Sequence, residues 1–202
     1  MNKLLEYIEK SAINSGYITM KELKEKSFQT RDIKKLLEEG IIEKIKPGLY
    51  RLVNLEEDEN ISLSFLDVCQ AIPEGVICLL SAIGYYDLST FNPSEIYLAV
   101  PHSKKVPVIE YPPVKIFHFR PETFELGINH VKTRYGHIQI YDKEKTICDM
   151  FRYRNKIGEN LAIESLKNYL SRKGYNLKKL MDYAKICHVK NIISPYLKAI
   201  LE

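Results

Sequence analysis

The sequence predicts an α+β protein: an N-terminal winged helix-turn-helix followed by a larger mixed α/β domain with a helical C-terminal end. Three observations lead there. Helical periodicity over the first 39 residues falls into three short stretches, and directly after Gly40 the period changes to that of strands. Beyond residue 60, runs of branched and aromatic residues alternate with helical segments, and the last third is helical throughout. The 202 residues suffice for one large domain or two small ones. Boundaries are expected at residues 1–53 for the winged module, 54–61 for an acidic linker and 62–202 for the mixed domain.

In the first module, Leu4, Leu5, Ile8 and Ala12 recur at helical spacing, which predicts a helix from Asn2 to about Ser15, stopped by Gly16. Thr19 with Glu22 three residues later forms a capping-box pattern for a short second helix, Met20 to about Lys26, that buries Leu23. Thr30 is expected to cap a third helix, Arg31 to Glu39, with Ile33, Leu36 and Leu37 inward and Gly40 as its C-terminal stop. Ile41–Lys46 and Leu49–Leu52 then read as two strands around a Pro47-Gly48 turn. Three short helices and a hairpin make the winged fold, whose third helix can enter the DNA major groove.

The acids Glu56, Glu57, Asp58 and Glu59 predict an exposed linker. Ser62 to Ile72 is an amphipathic helix carrying Leu63, Leu66, Cys69 and Ile72. Val76–Leu80 is a short buried approach, with Ser81 expected to cap a helix through Ile83, Tyr85 and Tyr86. Ile96–Val100, Val114–Phe119 and His137–Tyr141 are β-type runs, while Pro101, Pro107, Pro112 and Pro113 hold the intervening chain to loops and edges. Asp142 caps a helix from Lys143 to about Asn155 that buries Thr146, Ile147, Met150 and Phe151. Helices follow at Gly158–Arg172, Leu177–His188 and about Ile192–Leu201, with Pro195 expected in a first turn.

Composition excludes several classes. With 45% hydrophobic and 28% charged residues the chain is globular and not disordered. The longest apolar run, Val76–Leu80, is far short of the roughly 20 residues that span a bilayer. Glu6 interrupts the N-terminus before an apolar signal region forms, so a cytoplasmic protein without membrane association is expected. Cys69, Cys78, Cys148 and Cys187 are scattered without a CxxC pair, and no two histidines stand four residues apart, so reduced thiols and no metal site are expected. No glycine-rich phosphate loop, GxSxG elbow or paired catalytic carboxylates are present, so neither a catalytic residue nor a cofactor is assigned.

The net charge of +4 hides a division. Residues 1–52 hold 11 basic against 8 acidic side chains, residues 53–140 hold 6 against 11, and residues 141–202 hold 13 against 7. Basic ends flank an acidic middle, a pattern that points to a polyanionic partner. On the third helix, Gln29, Thr30, Arg31, Lys34 and Lys35 fall outward. Arg and Gln are residue types that read guanine and adenine edges. Lys34 and Lys35, with Lys44, Lys46 and Arg51 of the hairpin, suit phosphates. Asp32, Glu38, Glu39 and Glu43 lie among them and weaken such contacts. The same surface also suits a second reading, a protein-interaction module that docks another protein without sequence-specific DNA binding. Arg152, Arg154 and Lys156 form a second basic cluster, either a polyanion patch or cations favouring a helix C-terminus.

The order of parts resembles the AbiEi-type antitoxins. The residues that carry the resemblance are Gly16-Tyr17-Ile18-Thr19, Leu36 to Ile42, and Pro47 to Arg51 in the first module. In the second domain they are Leu80 to Ser89, Ile96 to Pro101 and Tyr141 to Asp149. The resemblance implies a type IV toxin–antitoxin system concerned with abortive infection. It implies a repressor that binds inverted repeats in double-stranded promoter DNA, and a C-terminal domain that counters a nucleotidyltransferase toxin without a stable direct complex. It places the DNA contacts on Gln29, Thr30, Arg31, Lys34 and Lys35 and, in the wing, on Lys46 and Arg51.

Overall fold

The computed structural model describes residues 4, 6–8, 10, 15–56 and 61–201. Leu5 and Ala12 of the expected first helix, and Glu57, Asp58 and Glu59 of the expected linker, lie outside the described residues. Two compact units emerge. One comprises residues 1–73, 105–113 and 132–138, and the other residues 74–104, 114–131 and 139–202. The helix Leu63–Ala71 therefore groups with the N-terminal residues, whereas the sequence reading opens the second domain at residue 62.

In the first unit Leu4, Tyr7 and Ile8 are helical, followed by β1 (Tyr17–Thr19), α1 (Met20–Glu25), α2 (Thr30–Glu38), β2 (Ile42–Lys46), β3 (Leu49–Leu52) and α3 (Leu63–Ala71). The strands form an antiparallel sheet in the order β1-β3-β2. Strand β1 is absent from the sequence reading; its register, Ile18 against Tyr50, is fixed by residues 32 positions away. Leu4, Ile8, Ile18, Leu23, Ile33, Leu36, Ile42 and Tyr50 close one apolar core.

The local punctuation is chemical. Thr19 Oγ1 accepts from the Glu22 amide at 3.2 Å, and Glu22 Oε2 accepts from the Thr19 amide at 2.7 Å, which satisfies two otherwise orphaned donors. At α2 the cap falls on Gln29 and not on Thr30: Asp32 Oδ2 accepts from the Gln29 amide at 3.1 Å, drawing Thr30 into the first turn. Gly40, at φ +67°, closes α2 with Gly40 N donating to Leu37 O (3.2 Å) and Ile41 N to Leu36 O (3.0 Å). These paired bonds require a left-handed residue, which glycine adopts without a Cβ penalty.

The second unit contains β4 (Val76–Ile77), α4 (Leu79–Tyr85), β5 (Ile96–Pro101), β6 (Val114–Phe119), α5 (Pro121–Phe124), β7 (Ile128–Thr133) and β8 (Gly136–Tyr141). The turn between β7 and β8 groups with the first unit. Five helical segments complete the chain: α6 (Lys143–Arg152), α7 (Arg154–Ile157), α8 (Glu159–Ser171), α9 (Leu177–Ile186) and α10 (Lys190–Leu201). The sheet is mixed, in the order β6-β5-β4-β8-β7, which leaves β6 at an edge. Ser81 does not cap α4; it sits inside the helix, and its Oγ accepts from the Tyr97 amide of β5 at 2.9 Å. Helix α10 starts at Lys190, so Pro195 falls in its second turn and not its first.

The expected one-sided helix after Asp142 is instead enclosed. Every residue of α6 from Glu144 to Phe151 is buried. Lys145 and Asp149 are both fully buried and pair at 2.5 Å, with the Lys145 ammonium 4.0 Å from the Tyr141 ring centre. Burial pushes the Asp149 carboxyl above the usual range, against the attraction of Lys145. Among the described residues no helix is long and apolar enough to cross a membrane, and no group of His, Cys, Asp or Glu could hold a metal ion.

Candidate nucleic-acid interface

Helix α2 turns Ile33 and Leu36 into the core, each 1% exposed. A helical period of 3.6 then forces positions 30, 31, 34, 35 and 38 outward. Gln29, Thr30, Arg31, Lys34 and Lys35 are all exposed, so the five residues the sequence puts on this helix share one solvent face. Their cations are loosely held. Arg31 stands 3.9 Å from Asp32, Lys34 3.7 Å from Glu38 and Lys35 3.8 Å from Glu39, all at the outer limit of an ion pair. Exposed pairs of this kind contribute about 0–1 kcal/mol and yield readily to a stronger anion.

The hairpin cations are placed differently. The Arg51 side chain is 12% exposed and lies between two carboxylates. Its Nη1 donates to Asp67 Oδ2 at 2.8 Å, and its Nη2 is paired with Glu43. Asp67 is 1% exposed and also accepts from the Tyr17 hydroxyl at 2.7 Å. Burial pushes the Asp67 carboxyl up, while Tyr17 and Arg51 pull it down. Burial beside this carboxylate also pushes the Tyr17 hydroxyl far above its usual value. Arg51 is thus a structural tie from β3 to α3 and β2, and not the outward phosphate contact that the sequence suggests. Asp67 and Tyr17 escaped the sequence reading because their partners are 16 and 50 residues away.

Lys46 and Lys44 are also occupied. Lys46 Nζ donates to the Ala71 carbonyl at the end of α3, at 2.6 Å. Lys44 Nζ donates to Glu110 Oε1 at 2.8 Å, and this bond raises the Lys44 pKa. A bulge between Lys44 and Lys46 interrupts the β2–β3 ladder, and Ile42 and Ile45 are both buried although three residues apart, a spacing that strict alternation would not give.

In the second unit the three residues of the C-terminal basic cluster do not act as one face. Arg154 is half-buried, donating to the Phe151 carbonyl at 2.9 Å and standing 3.6 Å from Glu159. Arg152 closes α6 and is half-buried, whereas Lys156 is exposed above the Tyr153 ring at 5.9 Å.

Helix α2 thus buries one apolar stripe and exposes three weakly held cations beside a capped N-terminus. Residues 6–53 match the family described as the transcriptional regulator AbiEi antitoxin, so this segment is similar to those regulators. No curated protein matches the chain.

Proposed function

We propose that residues 1–53 form a winged helix-turn-helix that binds double-stranded promoter DNA at inverted repeats and represses the operon encoding the protein. The observation that carries this reading is the single solvent face of α2 on which Gln29, Thr30, Arg31, Lys34 and Lys35 converge. In this reading Gln29 and Arg31 read base edges, and Lys34 and Lys35 neutralise phosphates. Lys44, Lys46 and Arg51 hold the wing in position, and a phosphate approaching Lys44 must displace Glu110. The match of residues 6–53 to the AbiEi regulators supports the same reading.

The remainder of the chain acts as an antitoxin of a type IV system, countering a nucleotidyltransferase toxin without a stable complex and without catalysis of its own. Arg152 and Lys156 serve as a further polyanion contact. The test is a mobility shift with the upstream promoter repeats. Binding should fall for Arg31→Ala with Lys34→Ala, and unchanged affinity would remove α2 as the reading helix. Stoichiometric capture of a protein partner with no DNA retention would instead support the docking-module reading.

A further inference from the structure

We infer that the second unit holds a nucleotide-binding groove, with a phosphate taken by Lys115, His118 and Lys156 and the base packed against Tyr153. The groove has a volume of ≈ 490 Å³ and is lined by Lys115, Ile116, Phe117, His118, Tyr153, Lys156 and Ile157. That volume is in the range of about 300–1,000 Å³ typical of small-ligand sites. The inference is independent of DNA binding by the first unit.

Its position follows from the sheet. Side chains of a strand alternate between faces, so four consecutive residues of β6 line one groove only if it runs along the strand's edge. Among the described residues β6 is an edge strand bonded to β5 alone, so a row of its backbone N–H and C=O groups has no strand partner there. Such groups are suited to the donor and acceptor edge of a nucleobase.

The side chains supply the rest. Lys115, His118 and Lys156 are exposed, and no carboxylate lines the groove. Lys115 is only 4.0 Å from Glu95, at the limit of pairing, and rests above Tyr97 at 5.3 Å. Tyr153 is half-buried and its ring is fixed, stacked 11° from parallel on Phe119 at 5.6 Å and edge-on to Phe117 at 5.2 Å. A rigid ring beside lysines is the combination used for single nucleotides, where stacking holds the base and cations hold the phosphate. An acidic peptide would satisfy the lysines and the strand edge but leave the ring unused.

The same chemistry is offered by a free nucleotide and by an unpaired nucleotide within a nucleic acid. The experiment uses the full chain, titrated calorimetrically with AMP and ATP, and by fluorescence anisotropy with a labelled single-stranded deca-deoxyadenylate. Saturable binding is expected, with ATP displacing the oligonucleotide if the free nucleotide is the source. Failure of ATP to displace it assigns the site to nucleotides held in a chain. Lys115→Glu with Lys156→Glu, both on exposed positions, should weaken the observed ligand at least about tenfold, as loss of charge-assisted contacts does. Arg31→Ala with Lys34→Ala should leave AMP and ATP binding unchanged. Tyr153→Leu should weaken AMP while leaving inorganic pyrophosphate binding intact; the lysine variant carries the test if this core-facing change unfolds the unit. No saturable binding of any of these probes, insensitivity to the lysine changes, or stronger capture of an oligoglutamate peptide would overturn the site.

Discussion

Helix α2 and the β2–β3 hairpin carry the same number of cations, three each, and the structure puts them to opposite uses. On α2 the guanidinium and ammonium groups stand in solvent with carboxylates at 3.7–3.9 Å. On the hairpin, Arg51, Lys46 and Lys44 are bonded at ordinary distance to Asp67, the Ala71 carbonyl and Glu110. The difference arises from what each element packs on. A helix that buries one stripe leaves the rest of its circumference free, whereas the hairpin lies beside α3 and Glu110, which supply partners to its cations. Basic residues near each other in sequence are therefore poor witnesses to a common binding face; what identifies a phosphate ligand is a cation without a good internal partner.

The largest expected break of this comparison is Arg51→Ala. It strands Asp67 at 1% exposure beside an empty site, and removing one member of a buried pair costs about 3–5 kcal/mol. Chemical denaturation should show the loss. Arg51→Met with Asp67→Leu and Tyr17→Phe should recover part of it, because desolvation of both charges is then avoided and no hydroxyl is left without its acceptor. If Arg51→Ala weakened DNA binding in a protein of unchanged stability, the hairpin and helix would be equivalent after all.

Next comes Arg31→Ala with Lys34→Ala, whose effect lies on binding and not on folding. Stability should stay within about 0.5 kcal/mol, as for surface substitutions generally. The logarithmic dependence of promoter-DNA affinity on salt should become shallower by about two per bound copy if both side chains meet phosphates, and by about one if Arg31 reads a base. Measuring affinity at four or five salt concentrations separates these roles.

Much of α1 and α2 was legible in the sequence, because caps and helical period are local, although the α2 cap falls on Gln29 and not on Thr30. Thr19 with Glu22, and Gly40 after Leu37, act within four residues, and the outward set 30, 31, 34, 35 follows from the buried pair Ile33 and Leu36. The hairpin's role was not legible. It depends on a bulge between Lys44 and Lys46, on a strand, Tyr17–Thr19, defined by its distant partner, and on Asp67, which reads as an ordinary polar position of an amphipathic helix. Helix α6 was legible with Thr146, Ile147, Met150 and Phe151 on its buried face, but the burial of Lys145 and Asp149 comes only from the elements packed around it. The groove along β6 was missed because Lys115 and His118 meet Tyr153 and Lys156 only through the topology.

A smaller effect is expected at Lys46→Met. The substitution keeps the aliphatic stem and removes the donor to the Ala71 carbonyl, an exchange that costs about 1–2 kcal/mol when the acceptor is left poorly satisfied. A thermal melt should record it while promoter affinity at fixed folded concentration stays the same. A matching fall in salt slope would return Lys46 to the binding face.

The smallest and most discriminating change is at the acids of α2. Glu38 and Glu39 each follow a lysine by four residues, the less favourable order for a helical pair, and both pairs are exposed. Glu38→Gln with Glu39→Gln should therefore alter stability by less than about 0.5 kcal/mol. Its effect on DNA should have the opposite sign to that of the lysine variants. Removing two negative charges beside Lys34 and Lys35 frees those ammonium groups and lessens repulsion from the phosphates, so affinity should rise by roughly twofold or more per acid at low salt. The gain should vanish near 1 M salt, where the screening length shrinks to about 3 Å. Tightening confined to low salt would show that the weak internal pairs of α2 are what a DNA backbone displaces; no change would mean that Lys34 and Lys35 face solvent in the complex too, leaving Gln29 and Arg31 to hold the helix in the groove.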